Sequence, residues 1–261
     1  MPVLPALPIR LPRPRLPRFG LLPLAAALLS ACVAAAPPPP ATVPGPVPVL
    51  LPDDSPPLPV REAAQNFVTV VRRMEPSIEQ ECRARTRNVN CDFQIVVDDR
   101  PGQDPNAFQT LDEAGRPVVA FNLALIAEAR NIDELAFVMG HEAAHHIAGH
   151  IPRQQQSMAA AAVIFGGLAA AYGYDEAGIR TAQDLGAGLG GRVYAKNYEL
   201  EADRLGTVIA WDAGFDPERG SRFFARLPDP GNDFLGSHPP NAQRMDLVAR
   251  TVADLRAGRR I

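Results

Sequence analysis

Apolar residues recur at helical spacing over residues 60–74. Ala63, Phe67, Val71 and Met74 share one face, which predicts an amphipathic helix that Pro76 stops. Ser77 followed by Gln80 forms a capping-box pattern and predicts a short second helix. Phe93 to Val97 is rich in β-formers and reads as a strand. Ala107–Leu111 and Pro117–Phe121 flank Asp112-Glu113-Ala114-Gly115-Arg116, a hairpin pattern with glycine in the loop. Asn122 can cap a helix through Arg130. Asn131 or Asp133 then opens a long helix carrying Leu135, Val138 and Met139 to about Ile151, with Pro152 as its end. Residues 157–172 are small and apolar. They are too few to span a bilayer comfortably and are weakened by Gly166-Gly167, so a buried or lid helix is expected rather than one lying on a membrane. The glycine-rich stretch 185–191 predicts a flexible connector. Tyr194–Ala213 reads as a helix ended by Gly214, and Asp216-Pro217 opens another. Pro239-Pro240-Asn241 precedes a last helix with a basic tail at Arg256, Arg259 and Arg260. The sum is a mostly helical α+β domain with a small sheet.

Composition changes this picture at the N-terminus. Eighteen of the 28 prolines fall within residues 1–60. Arg10, Arg13, Arg15 and Arg18 precede an apolar run, Phe19 to Leu29, and then Leu29-Ser30-Ala31-Cys32. A basic start, a short apolar core and small residues before a cut site predict an export signal over residues 1–31. The cysteine that follows makes it resemble a bacterial lipoprotein signal, which implies cleavage before Cys32 and lipid on that residue. Val33 stands where an aspartate would favour inner-membrane retention. The resemblance therefore implies an outer-membrane anchor facing the periplasm. Residues 32–59 form a proline- and alanine-rich spacer, leaving residues 60–261 as the folded domain.

The net charge is −3, and loss of the four arginines takes it to −7. With no basic excess, nucleic acid is not an expected partner. The 28 Pro and 20 Gly argue against a coiled coil, and the lack of repeated long apolar runs argues against a multi-span membrane protein. Cys82 and Cys91, an even pair in an exported chain, are a disulfide candidate whose rival is two buried thiols.

The chemistry centres on His141-Glu142-Ala143-Ala144-His145 within the long predicted helix. Four residues advance a helix by about 400°, so the imidazoles lie ~40° apart on successive turns and can reach one cation. Zinc accepts neutral imidazole, leaves one position open and lowers the pKa of a coordinated water towards ~7. Glu142 is placed to accept that proton and deliver it to a leaving amine. A third ligand is required, and Glu199-Leu200-Glu201-Ala202-Asp203 lies on a second predicted helix, with Glu199 and Asp203 on one face.

With these two motifs the chain resembles the zinc metallopeptidases of the CAAX-prenyl-protease type, including the HtpX- and BepA-like periplasmic enzymes. The resemblance covers most of residues 60–250. Asn106-Ala107-Phe108 matches the family's segment before an edge strand, and Ser237-His238-Pro239 followed by Arg244 matches its C-terminal motif. The usual Ser-Arg before the glutamate motif is absent; the chain has Tyr194-Ala195-Lys196-Asn197, with Lys196 supplying a charge there. The resemblance implies a gluzincin-like fold, one Zn2+ per chain held by His141, His145 and Glu199, and Asp203 orienting a ligand histidine. His238 has three readings: hydrogen-bond donor to the oxyanion, latent fourth zinc ligand, or packing residue. Glu201 lies about 200° around the helix from Glu199 and reads as solvated or paired. His146 and His150 form a second pair without a visible third ligand and read as solvated or packed imidazoles.

The expected function is a zinc endopeptidase of the bacterial envelope that cuts unfolded or misassembled envelope proteins. An extended substrate would add to a strand edge at 107–111 or 117–121, under a lid formed by 157–172 and 185–191. The rival is a non-proteolytic, chaperone-like outer-membrane assembly factor with a structural zinc. The sequence sets no oligomeric state.

Overall fold

The structure is a computed structural model that describes residues 53–193, 195–228 and 239–259. The expected export signal (1–31), Cys32, most of the expected spacer and His238 lie outside these residues. Contacts with the core include residues before the first helix: Asp53 accepts a hydrogen bond from the Asn131 side chain at 3.0 Å, and Leu58 packs on the core.

Helix α1 (Val60–Arg85) runs unbroken through Pro76. Proline should have ended it, but Val70, Met74, Ile78 and Cys82 are fully buried on one continuous stripe across it. Burying each large apolar side chain is worth about 1.5–3 kcal/mol, against about 3 kcal/mol for an interior proline. The packing outweighs the break, and the predicted second helix is the second half of the first. A disulfide joins Cys82 near its end to Cys91.

Strands β1 (Gln94–Asp98), β2 (Ala107–Leu111) and β3 (Pro117–Asn122) form one sheet in the order β1-β3-β2. β1 runs parallel to β3; β2 and β3 form the expected hairpin, Gln109 opposite Val119. β3 is therefore central, and 117–121 is not an edge; β2 is. Asn122 and Asn131 cap the next two helices, α2 (Leu123–Glu128) and α3 (Ile132–Ile147), accepting from the N–H groups of Leu125 and Glu134 at 2.8 and 3.0 Å. Helix α3 lies at the centre, with Leu135, Phe137 and Met139 buried.

The long predicted helix ends early. Gly149 adopts φ +65°, a conformation that favours glycine, and the chain restarts as α4 (His150–Ala171). Pro152 sits in the first turn of α4, where its missing N–H leaves no helical bond unmade. It begins a helix rather than ending one. Residues 157–172 are mostly exposed rather than buried: Gly166 and Ala169 are covered, but Val163, Ile164 and Leu168 are all more than half exposed. The glycine-rich stretch is not a connector either. It lies in α5 (Glu176–Val193), where Gly186 and Gly190 let α5 approach the backbone of Ala161 and Ser157 in α4 too closely for any Cβ. Among the described residues, no helix is long and apolar enough to cross a membrane.

The remaining helices are α6 (Ala195–Asp212), α7 (Pro217–Gly220), a 3-10 turn (Ser221–Arg226) and α8 (Asn241–Arg256). Helix α6 crosses α3 at Gly140 and Gly206. A Cβ on Gly206 would lie 2.7 Å from the His141 nitrogen, and one on Gly140 would lie 2.7 Å from the Gly206 carbonyl oxygen. The two backbones thus meet beside the histidine motif. The architecture is the mostly helical α+β fold with a small sheet that the sequence predicts.

Candidate metal centre

Helix α3 presents His141 and His145 on successive turns, and the Gly140–Gly206 crossing brings Glu199 of α6 against them. His141 Nε2 lies 3.1 Å from His145 Nε2. Glu199 places one carboxylate oxygen 3.5 Å from His141 Nε2 and the other 3.5 Å from His145 Nε2. Zinc bonds of about 2.0–2.1 Å in a tetrahedron require ligand atoms roughly 3.3–3.4 Å apart. The imidazole pair and each imidazole's nearer Glu199 oxygen lie close to that spacing, with one atom from each residue within 4.8 Å of the others, and the donor set of two imidazoles and one carboxylate suits zinc. Among the described residues, it is the one group of three such side chains close enough to hold an ion.

Each histidine is supported behind the site. His141 is buried, and its Nδ1 lies 2.9 Å from Asp203 Oδ1. Asp203 is fully buried and receives two bonds from Arg244 of α8, each 2.7 Å. The guanidinium lies 3.7 Å above the Phe224 ring. In the neutral ring, an Nδ1–H donated to Asp203 leaves Nε2 with its lone pair facing the site. His145 turns its Nδ1 to His150 Nδ1 at 2.9 Å, and His150 Nε2 faces Glu201 Oε2 at 3.2 Å. His146 points elsewhere and meets the Asn90 carbonyl at 2.9 Å.

Charge is redistributed accordingly. Burial opposes a proton on His141, but hydrogen bonds to Asp203 and Glu199 prevail and push its pKa up to about 10 in the metal-free protein. Burial and the neighbouring His141 charge push His145 down to about 3. Burial raises Glu142 to about 7; Glu199 reinforces this, while His141, Arg244 and the Gln109 backbone N–H oppose it. Burial also opposes ionisation of Asp203, yet Arg244 and His141 hold it below the ordinary carboxylate range.

The site opens into a cleft of about 410 Å³. One wall is the β2 edge from Asn106 to Gln109; another is apolar, with Val138, Phe223 and Leu227. Ile151 and Gln154 at the start of α4 also border it, but the glycine-rich part of α5 does not.

The structure brings His141, Glu142, His145, Glu199 and Asp203 together. Local spacing assigns Arg244 no role, and its bidentate contact with Asp203 is a tertiary pairing that no such spacing signals. Glu201, expected to be paired or solvated, pairs with His150 and with Arg153, the latter at 2.9 Å. The spacing of His146 and His150 predicts one pair on one helix, but the break at Gly149 puts them on separate helices.

Comparison with known proteins gives two findings. Residues 70–252 match peptidase family M48. Over 145 residues the chain is 37% identical to a protein of Vibrio cholerae serotype O1 named "Putative beta-barrel assembly-enhancing protease", an alignment covering 53% of this chain and 30% of that protein. The chain thus matches less than a third of that relative's length.

Proposed function

The chain belongs to peptidase family M48, and on that premise we propose that it is a zinc-dependent endopeptidase of the bacterial envelope. The carrying observation is that His141, His145 and Glu199, from two helices, place their ligand atoms within 4.8 Å of one another, with Glu142 beside them on the cleft. Zinc held there supplies a Lewis acid that polarises a carbonyl and makes water acidic enough to act as a nucleophile near neutral pH.

The protein's own groups do the rest. Glu142 takes the proton of the attacking water on its carboxylate and returns it to the leaving amine. Asp203 and Arg244 hold the His141 ring in register. The β2 edge offers backbone groups to an extended peptide, which would add as a further strand. The apolar wall of Val138, Phe223 and Leu227 receives a substrate side chain and excludes water.

We assign misfolded or misassembled envelope proteins as substrates. Support comes from the export-signal pattern and from the relative's name, which joins protease to β-barrel assembly. Lipid on Cys32 would hold the enzyme on the periplasmic side of the outer membrane, near such substrates.

The test is cleavage of casein and of an unfolded outer-membrane barrel by the purified protein, with and without chelator. Glu142→Gln should lower turnover by about 10²–10⁴-fold while zinc stays bound. His141→Ala should lose both zinc and turnover. Absence of chelator-sensitive cleavage would overturn the proposal. Full biological activity of Glu142→Gln would favour the non-proteolytic assembly factor instead.

A further inference from the structure

We propose that His150 and Glu201 are positioning residues that fix the tautomer and the orientation of His145 through a relay running Glu201–His150–His145. The proposal rests on the reading of His141, His145 and Glu199 as a zinc site. A ligand imidazole must keep one nitrogen free of hydrogen and aimed at the metal, while the other donates to an acceptor behind it. His141 meets this rule with a carboxylate. His145 meets it with another imidazole, and that is unusual, because His150 Nδ1 can be either donor or acceptor.

The geometry removes the ambiguity. The Nδ1 atoms of His145 and His150 are 2.9 Å apart, so one carries hydrogen and the other a lone pair. His150 Nε2 faces Glu201 Oε2 at 3.2 Å. The carboxylate can only accept, so His150 carries its hydrogen on Nε2 and its lone pair on Nδ1. His145 must then donate from Nδ1, which leaves its Nε2 bare and facing Glu199 and His141. The opposite arrangement would set two hydrogens against each other or place a hydrogen on the ligand nitrogen.

The relay is held rigidly. His150 is buried, and its ring stacks on Tyr198 with centroids 4.7 Å apart and planes 18° from parallel. Arg153 binds Glu201 at 2.9 Å and covers the same Tyr198 ring at 4.6 Å. Each ligand histidine therefore ends on a carboxylate–arginine pair: Asp203–Arg244 for His141, and Glu201–Arg153, through His150, for His145. Both carboxylates come from α6, the helix that supplies Glu199.

The experiment uses the whole protein and measures zinc affinity by chelator competition, the visible spectrum of the cobalt-loaded form, and the melting temperatures of metal-free and zinc-loaded protein. His150→Phe keeps the stack on Tyr198 and removes the acceptor; Glu201→Leu removes the far end of the relay. His146→Phe is the control. His150→Phe should weaken zinc binding about 10–100-fold, alter the cobalt spectrum and shrink the zinc-induced rise in melting temperature. Glu201→Leu should act in the same direction, and it carries the test alone if His150→Phe does not fold. A merely structural role would lower both melting temperatures together and leave the affinity intact, which would overturn the relay. Wild-type protein that binds no stoichiometric zinc would instead overturn the metal site itself.

Discussion

The crossing of α3 and α6 makes a sharp prediction through Gly206→Ala. The added carbon would sit 2.7 Å from the His141 nitrogen and 2.9 Å from both Gly140 C and His141 Cα. Non-bonded carbon contacts settle at about 3.5–4.0 Å, so the helices must separate locally by roughly 0.7 Å. Overpacking of this kind costs about 1–3 kcal/mol, while replacing a helical glycine by alanine returns about 1 kcal/mol. The net loss of stability is therefore only about 0–2 kcal/mol. The effect on the site is larger, because the ligands straddle this crossing and metal–ligand distances tolerate only about ±0.2 Å. Zinc affinity should fall by at least about tenfold and casein turnover by about 10²-fold, well beyond what the melting temperature suggests. Gly167→Ala is the matched control: nothing lies within 4 Å of its added carbon. It should stabilise by up to about 1 kcal/mol and leave zinc and turnover alone. Wild-type zinc affinity in Gly206→Ala would refute the view that this close approach sets the ligand spacing.

Three further outcomes are expected. Arg244→Met strips the buried Asp203 carboxylate of its bidentate partner and should cost about 3–5 kcal/mol in urea denaturation; a loss below about 1 kcal/mol would contradict the assigned ion pair. In the metal-free protein His141 keeps its proton up to a pKa of about 10, so zinc must displace it, whereas His145, at about 3, has none to release. Zinc affinity should therefore rise about tenfold per pH unit between about pH 6.5 and 8.5, and a flat profile in chelator competition would exclude this coupling. Reducing Cys82–Cys91, which closes a loop of sequence separation 9, should lower unfolding free energy by about 2–3 kcal/mol, read by denaturation with and without reductant.

Short-range rules carried much of the fold. The hairpin around Gly115 and the caps at Asn122 and Asn131 follow from local hydrogen bonding, and each lies where the sequence predicts it. The failures occur where local and tertiary preferences conflict. Pro76 has the local chemistry of a helix stop, but the buried stripe beneath it runs on to Cys82. Pro152 has the same chemistry, yet Gly149 three residues earlier changes its meaning from terminator to first-turn residue. The glycines of 185–191 read as freedom because their packing partners on the small-residue face of α4, Ala161 and Ser157, lie far away in sequence.

The same contrast explains the site. The spacing of His141 and His145, and of Glu199 and Asp203, is a rotation about one helix axis, and a sequence states such rotations directly. The same rotation sets Glu201 about 200° around α6 from Glu199. That rotation is real, but it takes Glu201 away from only one neighbour. The break at Gly149 turns the chain so that α4 begins alongside α6, and His150 meets Glu201 there while its other nitrogen reaches back to His145. One helix thus serves both sides of the centre, Glu199 and Asp203 through one face and Glu201 through the other. Arg244 completes the first arrangement from α8 and Arg153 the second from α4, and neither could be placed before the helices were packed.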